Sequence, residues 1–248
     1  MNTIYILWLR QVKRWLRSRT RIIGSLAQPI LYLIAFSYGF GPVFQKAGEG
    51  NYLQFLAPGI IAMSVLFSAL FSGIDIIWDK QFGFLKETLV APVSRINIMI
   101  GRTLGGATTA IFQGVLVLVI SFVVGFRVTS IAALLGALLF IFLIAIFFTA
   151  LGTAIASLLD DMQGFQMIMN FMVMPLFFLS GALFPSGSFP KTLNILSRGD
   201  ALTYGVDGLR GCLTGLYQFG FAKDFIVLSM LTMLLVLIGS HLFSKIKI

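Results

Sequence analysis

The chain has 248 residues, 58% of them apolar and only 11% charged, with a formal net charge of +9 and a mean hydropathy of +0.97. A soluble chain carries about 25% charged residues, so the composition excludes an ordinary soluble enzyme, a disordered chain and a nucleic-acid-binding arm. So few charges cannot cover a surface that faces water, and lipid is the remaining solvent. One cysteine, Cys212, and one histidine, His241, argue against an intrachain disulfide and an imidazole metal site.

Residues 1–21 intersperse Arg10, Lys13, Arg14, Arg17, Arg19 and Arg21 with apolar residues, whereas a secretory signal keeps its apolar core uninterrupted. On a helical wheel Ile4, Trp8, Val12 and Trp15 share one face, and Arg10, Lys13, Arg14, Arg17 and Arg21 gather opposite. The pattern predicts a helix lying in the membrane interface; the plainer alternative is a basic flank that orients the first span. Six apolar stretches of bilayer length follow, at 22–41, 56–78, 103–125, 131–156, 165–184 and 224–243. None alternates as a barrel strand does, so the spans are helices. The expected fold is all-α and integral to the membrane, with 1–21 as an interfacial element and 22–248 as a six-helix domain.

Orientation follows from the basic residues. With both termini inside, the cytoplasmic set holds Arg10, Lys13, Arg14, Arg17, Arg19, Arg21, Lys80, Lys86, Arg95, Arg102, Lys245 and Lys247. The external set holds Lys46, Arg127, Lys191, Arg198, Arg210 and Lys223, half as many.

Of the connections, 126–130 and 157–164 are tight turns, 42–55 is short and Gly-rich, and 185–223 is the longest. The segment 79–102 carries the most information. Phe82, Leu85 and Leu89 fall at helical spacing with Lys80, Lys86 and Glu87 on other faces. Pro92 stops that helix and Ser94 can cap the next. This amphipathic helix either meets a partner surface or rests on headgroups.

No Gly-Lys dipeptide occurs, so no phosphate loop exists, and GxSxG and HExxH are missing as well. Ion coupling would leave ionisable residues at membrane depth. The spans are nearly free of them, which weighs against an ion-coupled secondary transporter and favours a motor on another chain.

Ser64, Ser68, Ser72 and Asp75 share one face of the second span. They form either a packing stripe, with Gly101 and Gly105 of the third span facing it, or a polar substrate track. Asp75 is expected to pair with Arg102. The fifth span is rich in Met and Phe, and Met167, Asn170, Phe171, Met174 and Phe178 are candidates for a substrate path or a dimer interface.

FLAPGI at 55–60, FGFLKETLVAPVSR at 82–95 and GRTLGG at 101–106 stand in an order that resembles the type-2 ABC transporter permeases. The nearest flavour is the multidrug-efflux type related to daunorubicin-resistance permeases. DALTYGVDGLRG at 200–211 is similar to the family's NPLTY-x-V-D-x-LR region, with Arg198–Gly199–Asp200–Ala201 departing from Asn-Pro at its start.

The resemblance covers nearly the whole chain. It implies a cytoplasmic coupling helix at about 80–91 (Lys80, Phe82, Gly83, Leu85, Lys86, Glu87 and Leu89) and a re-entrant hairpin at roughly 185–215. It implies a homodimer, or a paired permease, above two ATP-binding cassette ATPases that hold the ATP and Mg. This chain itself would bind no cofactor and catalyse nothing. The implied setting is a bacterial or archaeal cytoplasmic membrane, and the implied task is export of an amphipathic or lipid-like substrate. A glycolipid or polysaccharide exporter of the same architecture is the alternative.

Overall fold

The computed structural model describes residues 3–46, 50–84, 93–128, 130–185 and 189–244, with side chains through residue 239. Ten helices and no strands occur among the described residues. They are α1 (Thr3–Arg17), α2 (Arg19–Lys46), α3 (Tyr52–Phe71), α4 (Ile74–Gln81), α5 (Arg95–Val124), α6 (Ile131–Leu158), α7 (Met162–Leu179), α8 (Lys191–Arg198), α9 (Ala201–Thr214) and α10 (Phe221–Ser244).

Local chemistry sets many of the boundaries. Asn51, Ser94, Ser130, Asp161 and Asp200 cap α3, α5, α6, α7 and α9, each side chain accepting from a backbone N–H in the first turn. The Ser94 cap falls where the sequence predicts it. Gly125 ends α5 in the left-handed conformation.

Six segments are long and apolar enough to cross a membrane: Arg19–Lys46, Tyr52–Gln81, Arg95–Val124, Ile131–Leu158, Met162–Leu179 and Phe221–Gly239. They match the six predicted spans. The second is broken, however, with α3 ending at Phe71 and α4 starting at Ile74. The break lies where α3 and α6 touch through backbone, and a side chain on Gly73 or Gly152 would run into the opposite main chain. Small residues replace the hydrophobic effect as the means of holding helices together in lipid.

α3 is the hub. Leu56, Ile60, Ile61, Val65, Leu66 and Leu70 are fully enclosed by α2, α5, α6 and α9. α2, α7 and α10 stand at the periphery, with long exposed apolar rows such as Ile23, Leu31 and Tyr38, and Met230, Met233 and Leu237. Water would not tolerate such rows, but lipid does.

The long connection 185–223 is largely helical. α8 and α9 form a hairpin, and every residue from Ala201 to Leu213 is buried. α9 runs antiparallel beside α6, with Cys212 at Gly136, Gly208 on Phe140 and Gly205 on Ile144.

A charge-clamped junction at the basic end of the bundle

At 3.6 residues per turn α1 has three faces rather than two. One packs on α5 through Leu7, Val12 and Trp15. Trp8 Nε1 donates to Thr108 Oγ1 at 2.9 Å, and the Trp15 ring stacks on Phe112. The second face is apolar but exposed, with Tyr5 and Leu16. The third is basic, with Arg10, Lys13, Arg14 and Arg17.

Close packing of α1 on α5 needs two small residues. A side chain at Gly101 would strike Ile4 and Leu7, and one at Gly105 would strike Gln11. This corrects the expectation that Gly101 and Gly105 face the serine stripe of the second span. Gly106 does so instead, lying against Ser72 and Thr149. A one-residue step turns a helix by about 100°, enough to change the neighbour.

α4 supplies two buried carboxylates. Asp79 accepts from Arg102 Nη2 at 2.6 Å and from Arg10 Nη2 at 3.0 Å. Asp75 accepts from Gln11 Nε2 at 2.8 Å and lies 3.5 Å from Arg14 and 3.9 Å from Arg21. The expected Asp75–Arg102 pair is therefore replaced by Asp79–Arg102, one turn further along. Asp75 turns toward α1 and α2, where three polar side chains already meet it.

Lys80, placed by the sequence on a polar face away from Phe82, turns toward α6. Its Nζ donates to Ser157 O and Leu159 O at 2.8 Å each and to Asp160 at 3.2 Å. It closes the carbonyl end of α6, where a cation is favoured by both hydrogen bonding and the helix dipole.

Beyond Lys80 the surface turns aromatic. Phe82 is 64% exposed and stacks on Trp78 at 5.2 Å, and Phe84 is exposed under the Arg10 guanidinium. α4 stops at Gln81, and Gly83 follows with φ +82°, a conformation that favours glycine. The helix expected over about 80–91 is therefore interrupted at Phe82–Gly83. Leu85, Lys86, Glu87, Leu89 and Pro92 lie outside the described residues.

Ser64 and Ser68 line a cavity of about 220 Å³ between α1, α2, α3 and α5. Gln28, Thr109 and Gln113 join them from the other helices, with Phe67 and Phe71 as apolar walls and Arg21 as the charged group. Ser72 and Asp75 do not line it; Ser72 is buried and bonded to Ala69 O. The predicted stripe thus divides into a cavity half and a packing half.

The ABC-2 type transporter family matches residues 2–214. The chain belongs to that family. It is 30% identical to the transport permease ycf38 of Cyanophora paradoxa, over 85% of this chain and 73% of the relative. It is 28% identical to nodulation protein J of Rhizobium leguminosarum bv. trifolii, over 84% and 80%. It is 26% identical to nodulation protein J of Rhizobium meliloti, over 84% and 80%. Membership makes the chain a membrane permease of the ABC-2 class, and such a permease pairs with an ATP-binding subunit.

On α7 this ABC-2 permease presents Met167, Asn170, Phe171, Met174 and Phe178 as one exposed stripe, while Phe165, Met169, Val173 and Phe177 pack inward. At the end opposite α4, Arg210 of α9 donates to Phe55 O at 3.2 Å and Gly181 O at 2.9 Å, and its guanidinium covers the Phe55 ring. Asp207 accepts from the backbone N–H of Gln218 and of Phe219. The VDGLR stretch of the resemblance thus ties the hairpin to α3 and to the loop before α10. Sequence reasoning missed Asp79, Gln11 and Trp78. For Asp79 and Trp78 the signal was the i, i+4 spacing with Asp75 and with Phe82, which puts both members on one side of a helix; Gln11, on α1, had no such signal.

Proposed function

We propose that this ABC-2 permease is the membrane-spanning half of an exporter that moves an amphipathic or lipid-like substrate outward, driven by two separate ATPase subunits that bind ATP and Mg. The observation that carries the reading is the junction at α4. Phe82, Trp78 and Phe84 form an exposed aromatic tip in the region where the family resemblance expects ATPase contact. The same helix joins α3 through a kink at Ser72–Gly73 and is held to α1 by Asp75 and Asp79, to α5 by Asp79 and to α6 by Lys80. A displacement of the tip is therefore passed to α1, α5 and α6 through these side chains.

The basic α1 end faces the cytoplasm, following the two-to-one bias of Lys and Arg, and both termini lie there in a bacterial or archaeal cytoplasmic membrane. Two copies pair along the exposed α7 stripe, whose Met and Phe side chains repack around varied ligands. The cavity lined by Ser64, Ser68 and Gln113 supports an amphipathic cargo, since it offers hydrogen-bonding groups beside Phe67 and Phe71. The hairpin α8–α9 dips into the bilayer from the outer side.

The test is co-purification with the partner ATPase and coupled transport in proteoliposomes. Phe82→Ala should lower both. Undiminished ATPase association and transport in Phe82→Ala/Trp78→Ala would end the coupling assignment.

A further inference from the structure

We propose that the pocket between α1 and α4 binds the phosphoryl headgroup of an anionic membrane lipid. The pocket encloses about 490 Å³ and is lined by Arg10, Lys13, Arg14 and Arg17 on one side and by Trp78 and Phe82 on the other. Its one carboxylate, Asp79, is already occupied by Arg102 and Arg10. Arg14 reaches Asp75. Lys13 and Arg17 make no ion pair among the described residues and leave uncompensated positive charge at the pocket. A phosphoryl group is the anion that such a cluster of guanidinium and ammonium donors holds best.

The position of the pocket selects a lipid over a protein partner. On α1 the exposed apolar side chains of Ile6 and Leu16 border Lys13 and Arg17. A phospholipid meets both at once, headgroup to cations and acyl chain to the apolar border. An acidic protein loop would satisfy the cations and leave that border bare. The Trp78 ring supplies an aromatic wall of the kind that suits the interfacial layer, with the more exposed Phe82 stacked on it. The site is separate from the cavity lined by Ser64 and Ser68, and it stands whether or not the exported cargo is a lipid.

The experiment uses the full chain in neutral detergent and native mass spectrometry, titrated with phosphatidylglycerol, phosphatidylcholine or inorganic phosphate. Phosphatidylglycerol should bind more tightly than phosphatidylcholine. Lys13→Gln/Arg17→Gln should weaken it about thirtyfold, the equivalent of about 2 kcal/mol for two cations near an anionic surface. Lys13→Arg/Arg17→Lys should restore it, which separates lost charge from lost folding. Lys191→Gln/Arg198→Gln, with the same charge change on α8, should leave it unaltered. Equal affinity of the two lipids, or of the Lys13→Gln/Arg17→Gln variant and the parent, overturns the proposal. Displacement of the lipid by inorganic phosphate alone assigns the site to a free anion and overturns the lipid source. A variant that loses its ATPase partner but keeps phosphatidylglycerol shows a protein contact instead.

Discussion

Asp79 is the sharpest place to perturb the junction. Its side chain is 6% exposed and that of Arg102 only 4%, with 2.6 Å between them. Arg10, the second partner of Asp79, is 42% exposed. Asp79→Asn removes the charge opposite Arg102 and leaves a buried guanidinium whose Nε already has no partner. Breaking a buried pair from one side costs about 3–5 kcal/mol, whereas removing the half-exposed Arg10 leaves Asp79 paired with Arg102 and costs about 0–1 kcal/mol. For chains of this length 1 kcal/mol moves a thermal midpoint by about 2–4 °C. Asp79→Asn should therefore lower the midpoint by about 6 °C or more, and Arg10→Gln by no more than about 4 °C. Size-exclusion of heated samples in one detergent reads both. Replacing both buried partners at once, Asp79→Leu/Arg102→Met, should recover most of the loss, because a well-packed apolar pair avoids the desolvation of either ion. Equal midpoints for Asp79→Asn and Arg10→Gln, or a double variant no better than the single one, would refute the view that the buried ion pair holds α4 to α5.

The other expectations are briefer. Lys80→Ala should cost about 1.5–3 kcal/mol, the range for hydrogen bonds to a charged group, and so should lower the midpoint where a surface lysine would not. Phe82→Ala should weaken ATPase association in a pull-down by roughly tenfold or more, with little change in midpoint, because an interface anchor is exposed until its partner arrives. On α7, Phe177→Ala should cost about 3–5 kcal/mol of stability from its buried position, while its exposed neighbour Phe178→Ala should leave the midpoint unchanged and reduce dimer recovery by crosslinking. Gly152→Val should sharply lower the yield of folded protein in membranes, since the added side chain meets the α3 main chain at Leu70.

The six spans were legible because each answers to one local requirement, enough apolar length to satisfy the backbone in lipid. The cap at Ser94 was equally local, whereas the Asp200 cap of α9 was not read. What could not be read was pairing between helices distant in sequence. Arg102 sits within a turn or so of both Asp75 and Asp79 in any plausible stacking of the second and third spans. Which carboxylate it meets depends on the break at Ser72–Gly73, and that break depends in turn on the contact of Gly73 with Gly152 in α6. Nothing near Asp75 in the chain records that contact. Lys80 failed for the same reason: its partners are the last carbonyls of α6, nearly eighty residues away.

The basic residues of α1 show how one pattern can serve two purposes. Counted as charges they give orientation, and any arrangement on the helix would give the same count. Their angular positions carry more. Arg10 and Arg14 lie on the side of the basic face that meets α4, and each finds a carboxylate there. Lys13 and Arg17 line the same α1–α4 pocket and meet none among the described residues. An interfacial helix held only by lipid would have no reason to divide its cations in this way. The division follows once α1 is both a structural partner of α4 and a surface facing headgroups: Arg10→Gln and Arg14→Gln should then cost stability, whereas Lys13→Gln and Arg17→Gln should cost lipid affinity with the midpoint kept.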